Sequence, residues 1–231
     1  MSQECVDILL LDFDKTLTKQ HTSGALNFLR INHKVYREDF PTQHNAILAH
    51  NVACNDPVLL FNYLLKWVHV DKKCVAVVTM ADERFEAMRA ATLSVDEKKA
   101  YEAVGGRRLV LRWLVAIAGE WVLANDNKVD QTTQTIDICA VKEVAALFET
   151  KRFQVYAKYN ESSKQWHIMQ ALQNFDHDSR QKIVYYDDSL PLVYDATKLA
   201  HRKHLDMKAH HCPAGLTSDL LRQIDNQVQS Q

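Results

Sequence analysis

Residues 6–18 read Val-Asp-Ile-Leu-Leu-Leu-Asp-Phe-Asp-Lys-Thr-Leu-Thr, an apolar run that stops at two carboxylates, Asp12 and Asp14. A short continuous apolar run is typical of a central strand in a parallel sheet, because helices cover both faces of such a strand. In open α/β sheets, ligands bind just beyond the carboxyl ends of the strands. The stretch therefore predicts a buried strand that delivers two acidic side chains to a functional site.

Three later segments also combine a predicted core element with a polar side chain at its end. They are the run 74–78 followed by Thr79, the helix predicted over 164–172 that opens with Lys164, and the run 183–186 followed by Asp187 and Asp188. In this chain order the four segments resemble the signature motifs of the haloacid dehalogenase (HAD) superfamily, most of whose members are magnesium-dependent phosphotransferases and phosphatases. The resemblance covers residues 6–188. It implies an α/β fold with a Rossmann-like, three-layer parallel sheet.

The resemblance also implies a role for each motif residue. Asp12 would be the nucleophile that attacks a phosphate monoester, because an acyl phosphate splits one slow step into two easier ones. Asp14 would protonate the leaving oxygen and then deprotonate the attacking water. This second Asp favours phosphatase chemistry, because the related dehalogenases lack it and the related ion-pumping ATPases carry Thr there. Thr79 would donate a hydrogen bond to a phosphoryl oxygen, and Lys164 would neutralise phosphorylated Asp12 and orient it.

Several carboxylates in one pocket repel one another, since two unit charges ~4 Å apart interact by about 4 kcal/mol at an effective dielectric of ~20. A divalent cation relieves this repulsion, and Mg²⁺ prefers hard oxygen ligands. The predicted ligands are the side chains of Asp12 and Asp187 and the backbone carbonyl of Asp14. Asp188 is expected to support these ligands or to bind the ion through a water molecule.

Each segment alone also has a simpler structural explanation. Clusters of Asp and Thr form turns, a threonine can merely end a strand, and an acidic pair can cap a helix. Lys158, in the strand-like run 154–159, is a second candidate for the motif lysine. The order of all four segments favours the catalytic interpretation, and a position at a helix start favours Lys164.

Other functions stay open beside the phosphatase. A two-component receiver domain also uses a strand-end Asp, a Thr or Ser and a Lys, but its acidic pair precedes the phosphorylated Asp. A HAD-like fold can also serve only as a binding module. Within the phosphatases, the flap predicted over 20–55 is too short for a large cap of the kind that encloses small metabolites. We therefore favour a phosphoprotein substrate, with phosphotyrosine ahead of phosphoserine, over a small metabolite.

Length and composition indicate a single domain over 1–231, with a small flap or cap at 20–55 and a helical insertion at 92–135. Lys and Arg number 28 against 29 Asp and Glu, and this balance gives no basic field for nucleic acid. No run reaches membrane-spanning length, and no signal sequence precedes the first strand. Dispersed cysteines, odd in number, favour a reducing compartment. We expect a cytoplasmic protein, in a bacterial cytosol or, if it is an exported effector, in a host cytosol.

Two groups of histidines invite a metal interpretation. The members are His21, His33, His44 and His50 in the predicted flap, and His201, His204, His210 and His211 with Cys212 near the C-terminus. Neither group has the paired ligand spacing of a zinc site, so none of these residues is assigned to a metal. A core helix over 57–68, an edge strand over 205–213 and a helix over 217–227 complete the predicted elements.

Overall fold

The structure is a computed structural model, and it describes residues 6–19, 55–80, 150–157 and 164–229, with residues 107, 110, 111, 113, 114, 117, 118, 146 and 148 between them. The predicted flap at 20–55, apart from Asn55, lies outside the described residues. So do Lys158 and most of the predicted insertion at 92–135.

The described strands form one parallel sheet in the order β3-β2-β1-β4-β5. Their bounds are β1 (Ile8–Asp12), β2 (Cys74–Thr79), β3 (Phe153–Ala157), β4 (Ile183–Asp187) and β5 (Met207–His211). The strands β1 and β4 are buried along their whole length, as a strand covered on both faces must be. The strand β2 ends in Thr79, as predicted, and β5 confirms the predicted edge strand.

Helices cover both faces of this sheet. The four described in full are α1 (Pro57–Leu65), α2 (Gln165–Asn174), α3 (Leu190–Lys203) and α4 (Ser218–Gln229). On one face, α1 and α4 pack with Leu9 and Leu11 of β1. On the other face, α2 and α3 pack with Ile8 and Leu10. The predicted α/β fold with a three-layer, Rossmann-like parallel sheet is therefore confirmed.

The helix that precedes β2 is shorter than predicted. Asp56 caps it by accepting a hydrogen bond from the backbone N–H of Leu59 at 3.0 Å, and Pro57 begins the first turn. The regular helix ends at Leu65, and a wider π-helical turn spans Lys66–Val70. The core helix predicted over 57–68 is therefore confirmed as an α-helix as far as Leu65, and its last residues lie in the π-helical turn. Apolar spacing alone does not reveal this change in backbone hydrogen bonding.

A helical segment between β2 and β3 adds to the first core layer. Its described side chains Val110, Trp113, Leu114, Ile117 and Ala118 are buried at the spacing of one helix face. The Trp113 ring meets the Phe13 ring edge to face, with centroids 5.5 Å apart. Trp113 is therefore a core side chain. Among the described residues, no helix is both long and apolar enough to cross a membrane.

The strand order contains one reversal of direction. From β1 the chain moves outward through β2 to β3, and it then returns to build β4 and β5 on the opposite side of β1. The helix α3, which packs with β4 and β5, lies on the opposite face of the sheet from α1. The topological switch point therefore falls between β1 and β4, where open α/β sheets form their ligand-binding crevice.

Candidate acidic site at the ends of β1 and β4

Asp12 and Asp187 are the last residues of the two strands that flank the switch point. The preceding residues, Leu11 and Tyr186, pair with each other in the parallel ladder, so both carboxylates emerge at the same edge of the sheet. Carboxylate oxygens of Asp12, Asp187 and Asp188 lie within 4.8 Å of one another. We call these three aspartates the acidic site.

Lys164 brings a single positive charge into direct contact with the acidic site. Its side chain is 4% exposed, and its Nζ donates hydrogen bonds to Asp12 Oδ1 and to the Val78 carbonyl, the latter at 3.0 Å. The same Nζ lies 3.4 Å from Asp187 Oδ2. Burial lowers the pKa of Lys164 to about 8, although the negative charges of Asp187 and Asp188 act in the opposite direction.

Thr16 connects the loop after β1 to the end of β4. Its hydroxyl donates a hydrogen bond to Asp12 Oδ2 at 3.0 Å and accepts one from the backbone N–H of Asp188, also at 3.0 Å. Both Asp12 oxygens are therefore held, one by Lys164 and one by Thr16. Thr16 lies within the stretch 6–18, whose pattern gave it no predicted role.

The Asp187 carboxylate is likewise held at both oxygens. The backbone N–H of Ser189 donates to Oδ1 at 2.8 Å, and the Tyr185 hydroxyl donates to Oδ2. Burial, followed by the charge of Asp187, raises the pKa of Tyr185 well above its usual value, so the phenol is a neutral donor. Sequence reasoning missed Tyr185. Strand alternation was the available signal, because positions two apart share one face of a strand.

The segment after β5 supports the loop that carries Thr16. Leu216 N–H donates to the Thr16 carbonyl at 2.9 Å, and Gly215 has a φ of +70°. A Cβ at Gly215 would lie 2.6 Å from the Lys15 carbonyl oxygen, closer than real Cβ atoms approach a backbone oxygen. Lys15 itself has a φ of 61°, so the loop turns sharply just after Asp14. Only glycine fits at position 215 without moving this loop.

The other predicted site residues surround the acidic site. Thr79 is buried at the end of β2, one position beyond Val78, which pairs with Asp12. Asp14 is half-buried in the turn that follows β1. Its side chain is not a member of the acidic site, and the role of its backbone carbonyl as a metal ligand stays a prediction.

The donor atoms of the acidic site are all carboxylate oxygens, a set that suits hard cations such as Mg²⁺ better than thiolate- or imidazole-binding metals. It is the one group of three or more His, Cys, Asp or Glu side chains, among the described residues, close enough to hold a metal. The histidines near the C-terminus and Cys212 do not form such a group. Comparison of the chain with protein-family models, curated proteins and solved structures finds no match.

Proposed function

We propose that the protein is a magnesium-dependent phosphomonoester phosphatase of the HAD superfamily, acting through a phosphoaspartate on Asp12. The observation that carries this proposal is a buried lysine shared by Asp12 and Asp187 at the switch point of the sheet. Burying such charges costs on the order of several kcal/mol per ion, whereas apolar side chains would fill the space without that cost. A cluster of buried charges in the ligand-binding crevice favours chemistry over a purely structural role.

In the proposed reaction, an Asp12 carboxylate oxygen attacks the phosphorus atom and forms an acyl phosphate. The ester P–O bond breaks, and the leaving oxygen takes a proton from Asp14. Asp14 then removes a proton from a water molecule that attacks the same phosphorus, which releases inorganic phosphate and restores Asp12. Lys164 balances charge on the phosphorylated carboxylate, and Thr79 donates to a phosphoryl oxygen. A bound Mg²⁺ would supply further charge neutralisation for the phosphoryl group.

The observed strand order favours this proposal over a receiver domain. A receiver domain of the flavodoxin-like type has the strand order 2-1-3-4-5. The sheet described here runs β3-β2-β1-β4-β5, and its acidic pair follows the candidate nucleophile in the chain. A non-catalytic binding module stays the main alternative, and measured turnover separates it from the phosphatase.

The test is turnover of p-nitrophenyl phosphate by the full chain, with Mg²⁺ and after treatment with EDTA. We expect Mg²⁺-dependent release of p-nitrophenol and a loss of at least about 10³-fold in Asp12→Asn, which lacks the nucleophile but gains no bulk. Asp225→Asn is the matched control, because it makes the same substitution at a buried aspartate on α4. Activity without metal, or substantial turnover by folded Asp12→Asn, would contradict the mechanism.

The substrate class rests on a segment outside the described residues, so the preference for phosphotyrosine proteins stays a prediction, as does the cytosolic location. Phosphotyrosine and phosphoserine peptides should be compared with sugar phosphates and nucleotides under identical conditions. A kcat/KM at least about tenfold higher for any small metabolite than for every peptide would replace the phosphoprotein assignment.

A further inference from the structure

Tyr185 stands out because its hydroxyl lies in the core and bonds to a charged group of the acidic site. Tyr185 and Asp187 are both fully buried, and they are two positions apart on the same face of β4. The hydroxyl donates to Asp187 Oδ2, and the backbone N–H of Ser189 donates to Oδ1. These two bonds fix the plane of the Asp187 carboxylate.

We propose that Tyr185 is a positioning residue for a divalent cation: its hydroxyl holds the Asp187 carboxylate in the orientation that binds the ion. This inference rests on the proposed function, because it takes Asp187 as a ligand together with Asp12 and Asp188. It adds to that function a residue of β4 to which the sequence pattern assigned no role.

The competing partner of Asp187 is Lys164. Its Nζ lies 3.4 Å from the oxygen that accepts from Tyr185. Each carboxylate oxygen has two lone pairs, so Oδ2 can accept from the phenol and still offer a lone pair to a cation. Without the phenol, the Lys164 ammonium can draw Oδ2 towards itself and out of the orientation that offers this oxygen to a cation. Hydrogen-bond partners of metal ligands typically contribute about 10- to 100-fold in metal affinity.

Tyr186 supplies a matched control on the same strand. It is also a buried tyrosine, but it belongs to the core layer on the opposite face of the sheet. Its ring stacks on His210, with centroids 5.0 Å apart. Tyr186→Phe therefore removes the same chemical group from the same strand without changing the contacts of Asp187.

The experiment is calorimetric titration of the full chain with MgCl₂ and, separately, MnCl₂, after removal of metal with a chelator. Wild type, Tyr185→Phe and Tyr186→Phe are compared at one pH. We expect Tyr185→Phe to bind at least about tenfold more weakly and Tyr186→Phe to stay within about twofold of wild type. Phenylalanine keeps the ring that packs in the core, and circular dichroism and the cation-free melting temperature check the fold.

Each outcome decides the inference. Equal or tighter cation binding by Tyr185→Phe overturns it, even when the variant melts at a lower temperature, because a purely structural role lowers stability without changing affinity. If wild type binds the cation but turns over no phosphate ester, the proposed function fails and the role of Tyr185 is still decided by the titration. If wild type binds neither cation, the inference is overturned together with the metal assignment, while metal-free turnover is measured separately.

Discussion

Two lysines of this protein each lie between two aspartates, in contrasting surroundings. Lys164 contacts two aspartates of the acidic site, and its side chain is 4% exposed. Lys66, in the π-helical turn after α1, donates to Asp225 at 2.7 Å and to Asp71 at 2.9 Å, and its side chain is 31% exposed. We call Lys66, Asp71 and Asp225 the helix clamp, because they join the end of α1 to α4.

The pKa values of Lys164 and Lys66 shift in opposite directions because the two side chains differ in their exposure to water. Burial lowers the pKa of both lysines, but at Lys66 the hydrogen bonds and charges of its two aspartates outweigh it, and the net pKa is raised. At Lys164 burial prevails, and the pKa falls to about 8. The helix clamp is thus a favourable ion cluster at the surface. The acidic site holds an ammonium group where charge is costly, which is expected of a functional site and not of a stabilising one.

The largest expected effect comes from removing each lysine in turn. Lys164→Ala should lower turnover of p-nitrophenyl phosphate by at least about 10²-fold, because the phosphorylated carboxylate loses its counter-charge. Lys66→Ala makes the same truncation in the helix clamp and should keep turnover within about twofold. Steady-state kinetics at saturating Mg²⁺ measures both. Similar losses of turnover in Lys164→Ala and Lys66→Ala would contradict a catalytic role that Lys164 has and Lys66 lacks.

The sequence was sufficient to predict the acidic site because its residues follow short, continuous apolar runs. Strands that are buried on both faces are recognisable from such runs, and their carboxyl ends meet at one edge of a parallel sheet. Asp12, Asp187 and Lys164 come together there in the structure, although they are far apart in the chain. Lys164 was placed at a helix start, and it is the residue immediately before α2.

The helix clamp could not be predicted in the same way. Lys66 and Asp225 are 159 positions apart, and neither follows a recognisable motif. Their contact depends on the π-helical turn and on the packing of α4 beside α1, both of which are set by tertiary structure. The close approach of Gly215 to the loop after β1 could not be predicted either, because only the folded backbone brings the two segments together.

The stabilisation of the protein by Mg²⁺ should depend on the acidic site and not on the helix clamp. At a hundred times its dissociation constant, the ion should add about 2.7 kcal/mol to the free energy of unfolding of the wild type, and EDTA should reverse the gain. Asp187→Asn should lose most of this gain, because it removes a ligand, whereas Asp225→Asn should retain it. Thermal unfolding with and without Mg²⁺ measures the shift. An equal shift in both variants would place the cation outside the acidic site.

The smallest expected effect lies within the helix clamp. Asp225 Oδ1 accepts hydrogen bonds from Lys66 Nζ and, at 3.0 Å, from Trp67 Nε1, and the residue is only 7% exposed. An asparagine in its place keeps an oxygen that can accept from both donors, but it removes the negative charge that pairs with Lys66. Asp225→Asn should therefore lower the free energy of unfolding by about 1–2 kcal/mol without changing kcat.

Asp71→Asn tests the reason for that loss. Asp71 pairs with the same Lys66 nitrogen, but its side chain is more exposed than that of Asp225. Its substitution should cost no more than about 1 kcal/mol, because solvent screens this partly exposed ion pair more than the pair with Asp225. Urea unfolding of both variants gives the comparison. Equal losses would show that burial does not set the strength of the clamp, and a reduced kcat in either variant would show that the clamp and the acidic site are coupled.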